Sequence, residues 1–202
     1  MDYNFYIAAL GASAGGLKAL KSYFSNVKDV ENIAYVVVLH SKRDYESHLP
    51  QILARHTSTP IVEIEQGMAI ERGKIFIHPP AMKVTLKEGH FILSERSSLE
   101  LLNRTINHFL NSLAEDAKDK VIGVIMSGTG NDGTEGFHAI EKNRGITLVQ
   151  DPETAEFDGM PNHSIKYDHP TFILPPDKMP KEIENYVRQN LQLEEHITHI
   201  NI

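Results

Sequence analysis

Three polar side chains in this chain have the types needed for acyl transfer, and each follows an apolar run. Ser13 sits in Gly11-Ala12-Ser13-Ala14-Gly15-Gly16, after the apolar residues 5–10 and before a helix-patterned stretch, 17–24. Glycines allow a tight strand-to-helix turn that presents the hydroxyl as a nucleophile. The helix behind the turn offers unpaired N–H groups and a partial positive charge, which suit an oxyanion. The logic is that of a nucleophile elbow. His40 closes a second apolar run, 34–40, and can take the serine proton. Asp132 lies in Ser127-Gly128-Thr129-Gly130-Asn131-Asp132-Gly133, just after the apolar run 121–126, and can fix the imidazole tautomer. The chain order Ser, His, Asp differs from the Ser, Asp, His order of α/β-hydrolases. Oxyanion donors are expected near Ala14, Gly15 and Gly16, helped by the loop 127–131.

Each residue has a plainer reading. The glycine turn could cradle a phosphate, but it matches neither G-x-G-x-x-G nor a P-loop. His40 is one of 11 histidines, most of them necessarily solvated or structural. Asp132 could cap the helix that follows Gly133, within ordinary Asn-Asp-Gly turn chemistry. Their joint placement at successive strand ends favours the chemical reading.

The elements that position them follow from periodicity. Residues 5–10, 34–40, 121–126 and 146–149 are short apolar runs, the pattern of parallel strands buried on both faces. Helices are predicted over 16–26, 45–56, 98–116, 134–142 and 180–192, and Pro50 must fall in the first turn of the second. The helix over 98–116 carries the stripe Leu102, Ile106, Phe109, Leu110 and Leu113. Short strands are expected at 61–64, 74–77 and 171–174. Residues 83–86 and 90–93 form a hairpin across Lys87-Glu88-Gly89. Alternating strands and helices predict an α/β fold, a three-layer α/β/α sandwich with a mostly parallel, doubly wound sheet and a small antiparallel hairpin region. In such a sheet, sites form at the carboxyl ends of strands.

Composition narrows the class. A chain of 202 residues suits one domain, read here as residues 1–192 with a C-terminal tail over 193–202. The net charge of −7 argues against nucleic-acid binding. No apolar run is long enough to span a membrane, and no signal-peptide pattern opens the chain, so a cytoplasmic location is expected. The absence of cysteine excludes disulfides, thiolate nucleophiles and cysteine metal sites. His56, His78 and His90 lack a tight ligand spacing, so neither a metal nor another cofactor is expected.

Together, residues 7–16 (with GASAGG), 36–40, Gly67 with 74–79 (KIFIHP), 107–116, 121–136 (VIGVIMSGTGNDGTEG) and 157–161 (FDGMP) resemble the catalytic domain of the chemotaxis protein-glutamate methylesterases, CheB. The resemblance covers roughly residues 6–180. It implies hydrolysis of methyl esters on chemoreceptor glutamates, often with deamidation of receptor glutamines. It carries the nucleophile onto Ser13, the base onto His40 and the orienting carboxylate onto Asp132. Partners implied are methylated cytoplasmic receptor helices and a receiver or methyltransferase domain in a full-length protein. No receiver domain is expected within these residues. The substrate would be a long helical coiled coil, so a shallow groove is expected, with Met160 as a candidate wall residue. Lys18, Lys21, Lys42 and Arg43 are candidates to meet acidic receptor helices. Ala14, Thr129 and Asn107 depart from the family's usual threonine, methionine and acid. They keep one rival open, a silent CheB-like binding module within a larger signalling protein; a hydrolase for another acyl substrate is the other alternative.

Overall fold

The computed structural model describes residues 3–40, 47–96 and 103–200. A parallel sheet of seven strands forms its centre: β1 (Tyr6–Ala12), β2 (Ile33–Leu39), β3 (Ile61–Glu63), β4 (Ile75–Ile77), β7 (Val121–Ile125), β8 (Ile146–Gln150) and β9 (Phe172–Leu174). Their order is β3-β4-β2-β1-β7-β8-β9, and every neighbouring pair is parallel. Strands β1 and β7 are buried along their whole length. Their near-continuous apolar sequences are what burial on both faces requires.

Among the described residues, six α-helices cover the sheet: α1 (Gly16–Phe24), α2 (Leu49–Leu53), α3 (Thr105–Ala117), α4 (Thr134–Lys142), α5 (Gly159–Tyr167) and α6 (Met179–Ile200). On one face, Ile106, Phe109, Leu110 and Leu113 of α3 pack with Phe137 and Ile140 of α4 under β1 and β7. On the other, Leu20, Tyr23 and Phe24 of α1 join Ile183 and Val187 of α6. The result is the three-layer α/β/α sandwich that the alternating pattern predicts. Each apolar side chain of the α3 stripe is fully buried, so truncating one to alanine would cost about 2–5 kcal/mol.

The hairpin is formed by β5 (Met82–Lys87) and β6 (His90–Glu95), antiparallel and outside the main sheet. Its turn tightens to Glu88-Gly89, both with positive φ, 50° and 75°. Asp116 on α3 accepts hydrogen bonds from both turn N–H groups, which ties hairpin to helix.

Several elements differ from expectation. The second helix is only Leu49–Leu53, with Pro50 in its first turn as required. Part of its predicted start lies outside the described residues, as does the start of the predicted helix over 98–116, including Leu102. The last helix does not stop at Gln192. It runs through Ile200, and Lys120, largely buried, pairs with Glu194 beyond the expected end. Residues 193–200, read from the sequence as part of a C-terminal tail, continue this helix. Helix α5 was not anticipated: only Met160, Pro161 and Ser164 of it are buried, too few to show a helical stripe.

Candidate active site

The carboxyl ends of β2, β1 and β7 lie side by side, with β1 in the middle. The register pairs Ala12 with Leu39 and Gly11 with Ile125. Ser13 therefore emerges between His40 and Ser127. The ladders run one step past the strands: His40 N–H donates to Ala12 O (2.9 Å) and Ser13 N–H to Ser127 O (3.0 Å). The turn reads G-x-S-x-G literally from Gly11 to Gly15. Gly15 adopts φ 73°, and a Cβ there would stand 2.5 Å from Ser127 Oγ, so the turn demands glycine.

His40 and Asp132 meet across the end of β1. His40 Nε2 lies 2.7 Å from Asp132 Oδ2, with the two side chains only 14% and 5% exposed. With Nε2–H directed at the carboxylate, Nδ1 is the ring nitrogen left to accept a proton. Ser13 is partly exposed, and no hydrogen bond links its hydroxyl to His40 among the described residues. Such bonds commonly tighten only when substrate is present.

Asp132 does not cap its own helix. The N-cap of α4 is Gly133, at φ 108° with no side-chain cap. The carboxylate turns instead to the N-terminus of α3, which also lacks a side-chain cap of its own. Oδ2 accepts from Ile106 N–H (2.9 Å) and Oδ1 from Asn107 N–H (3.0 Å). Two orphan donors and the positive helix end thus hold one carboxylate in place. Asn107 completes the lock. It is buried, and its Oδ1 accepts from Gly133 N–H (2.8 Å) and Gly136 N–H (3.0 Å). Asn107, where the resemblance leads one to expect an acid, is therefore packed inside the site's frame.

Ser127 supports the nucleophile turn from the other side. Its Oγ donates to Ala14 O (2.8 Å) and accepts from Phe157 N–H (3.0 Å), while its own N–H donates to Gln150 Oε1 (2.8 Å). Sequence reasoning placed Ser127 only within the oxyanion loop and missed Gln150. The available signal was Gln150's place at the carboxyl end of β8.

Among the proposed oxyanion donors, Gly16 N–H is engaged by Ser13 O at 2.9 Å. The N–H groups of Ala14, Gly15 and Thr129 have no partner among the described residues and are the open donors. Thr129 is exposed. Met160 is fully buried against the loop: its N–H donates to Gly128 O, and a Cβ on Gly128 would lie 2.2 Å from its sulfur and 2.9 Å from Ser13 Cβ.

His78, at the end of β4, is also close enough to feel His40. Burial pushes its imidazole down to about 4, and the positive charge of Arg96 adds to this. Its Nε2 has no hydrogen-bond partner. A neutral buried imidazole therefore borders the site. Lys18 lines a cavity of about 180 Å³ behind the turn, with Gly15, Ser127, Gln150 and Glu156. Lys42 and Arg43 lie outside the described residues. A cavity of about 350 Å³ opens at the opposite strand ends, near Asn32, Arg72 and Glu184, far from this chemistry.

The family model described as CheB methylesterase matches residues 8–183. The chain belongs to the CheB methylesterase family. A putative protein-glutamate methylesterase/protein-glutamine glutaminase of Leptospira interrogans is 28% identical over 190 residues, covering 94% of this chain and 98% of that protein. The crystal structure of the Thermotoga maritima CheB methylesterase catalytic domain matches with a TM-score of 0.82 at 26% identity, covering 91% of this chain and 99% of that one. An uncharacterised 104.1 kDa protein of Rhodobacter capsulatus is 37% identical over 117 residues, 58% of this chain and 12% of that protein. The chain spans about half the length of several other curated relatives, 49% to 53%. The CheB fold is thus shared nearly end to end, and the GASAGG turn and the Asp132 loop both fall within the matched span.

Proposed function

We propose that this CheB-family chain is a protein-glutamate methylesterase in which Ser13 is the nucleophile, His40 the general base and Asp132 the orienting carboxylate. The observation that carries the reading is the 2.7 Å His40–Asp132 contact laid across the strand end that bears Ser13. Ser13 Oγ attacks the ester carbonyl while His40 Nδ1 takes its proton. The oxyanion meets the open N–H groups of Ala14 and Gly15, with Thr129 N–H beside them. The proton passes to the leaving oxygen, and methanol departs. Water, deprotonated by the same imidazole, then cleaves the acyl-serine and frees the glutamate. Asp132 stabilises the imidazolium in both halves.

The substrate under this reading is a methylated glutamate on a cytoplasmic chemoreceptor helix. The same steps with ammonia as leaving group give glutamine deamidation, the second activity in the relatives' names. Among the described residues no helix is long and apolar enough to cross a membrane, as suits a partner of receptor cytoplasmic helices. Methanol release from methylated receptor tests the proposal. Ser13→Ala and Asp132→Asn should each lower the rate by roughly 10⁴-fold or more. Equal release by Ser13→Ala would refute the mechanism. No release by the unsubstituted chain would favour the silent binding module.

A further inference from the structure

A second cluster of chemically capable side chains lies away from Ser13. His138 and Glu141 stand three residues apart on α4, and Asp168 closes the carboxyl end of α5. One ligand atom from each lies within 4.8 Å of the other two. His138 and Glu141 are exposed and can adjust, whereas the Asp168 side chain is fully buried. His138 Nδ1 is 2.8 Å from Asp168 Oδ1, yet neither Asp168 oxygen has a hydrogen-bond partner.

Electrostatics make this arrangement costly as it stands. Glu141 lies in the last turn of α4 and Asp168 at the C-cap of α5, so both carboxylates face negative helix ends. A buried carboxylate without hydrogen bonds is held by a neighbouring cation or takes up a proton. Thr147 Oγ1 stands 3.4 Å from Glu141 Oε1, an outer contact of the kind that orients a metal-binding carboxylate.

We propose that His138, Glu141 and Asp168 form a binding site for a divalent metal ion of the zinc class, which clamps α4 to α5. One imidazole and two carboxylates, with water in the fourth position, suit Zn²⁺. The imidazole disfavours Mg²⁺ and Ca²⁺, which take all-oxygen shells. The site is independent of the esterase reading, but it braces two helices that begin near the chemistry. Helix α4 begins beside the Asp132 loop, and α5 begins at Gly159 and Met160, next to Gly128.

The test is calorimetric titration of Zn²⁺ into the chelator-stripped chain, with Mg²⁺ as control and melting followed in parallel. One equivalent should bind with a Kd at or below about 1 µM. At a hundredfold excess over Kd, the melting temperature should rise by about 5–10 °C. Mg²⁺ should produce neither effect. His138→Ala, at an exposed position, should weaken Zn²⁺ binding at least about tenfold, and Asp168→Asn should do the same. The histidine variant decides the question even if the buried aspartate variant folds poorly. No binding by the unsubstituted chain, or less than about a threefold change in His138→Ala, overturns the proposal.

Discussion

Asn107→Ala should separate the frame of the site from its chemistry. The Asn107 amide oxygen accepts two N–H groups, from Gly133 at 2.8 Å and Gly136 at 3.0 Å, in a buried setting. An alanine leaves both donors unpaired. Each buried unpaired donor costs about 1–3 kcal/mol, and water entering the small void recovers part of that. The expected loss is therefore about 2–4 kcal/mol, or roughly 4–16 °C in melting temperature for a chain of this length. Activity should fall as well, because Gly133 adjoins Asp132 and the loop would keep only the two Asp132 carboxylate contacts to α3. Displacement of about 1 Å in such a group lowers turnover by up to roughly 100-fold. Asn107→Asp keeps the acceptor and should melt within about 4 °C of the parent, a loss of no more than about 1 kcal/mol. Circular-dichroism melts and methanol-release rates on the three proteins provide the comparison. If Asn107→Ala melts within about 1 °C of the parent, the two amide contacts do not hold the loop and the reasoning fails.

Gly128→Ala would drive a methyl group to 2.2 Å from Met160 Sδ, so it should lose about 1–3 kcal/mol and slow turnover, with Met160→Ala in the same chain restoring part of the stability. An unchanged melt for the single variant would contradict that packing. His78 titrates near pH 4 when folded against about 6.5 when unfolded, so the unfolded chain binds more protons between those values. Its contribution is intact above pH 6.5 and declines as pH falls toward 4, reaching a loss of about 2 kcal/mol at pH 5. His78→Leu should therefore shrink the gap between urea unfolding free energies at pH 7 and pH 5, and an unaltered gap would count against the assignment. Nitrogen NMR of labelled histidine should find His40 protonated on Nε2 with Nδ1 unprotonated at neutral pH; the opposite tautomer would reverse the ring's place in the mechanism.

The candidate reactive groups were legible because three of the apolar strands each end beside one. Ser13, His40 and the Asp132 loop follow β1, β2 and β7 directly, and local pattern alone marks those ends. Helix α4 was equally plain, with the predicted bounds 134–142 matching Thr134–Lys142. What the sequence hid was long-range pairing. A carboxylate beside a helix start reads as that helix's cap, yet the positive φ at Gly133 turns Asp132 onto α3 instead. Asn107 read as a lost docking acid, because its acceptor contacts reach forward to residues 133 and 136. Ser127 meets Ala14 across 113 positions, beyond any local signal. Helix α5 gave no stripe because only Met160, Pro161 and Ser164 of it are buried.

The place of β7 beside β1 also sets when the chain can acquire activity during folding. His40 and Asp132 are 92 positions apart, and the strands that bring them together pair only after every intervening element has been made. A chain emerging N-terminal end first can pair β1 with β2, and so carry serine and histidine side by side, while the orienting carboxylate is still absent. Contacts of such long sequence separation form slowly, because loop closure precedes their reward. Half-made chains are therefore expected to be inert, and full turnover should appear only once the β1–β7 ladder has closed.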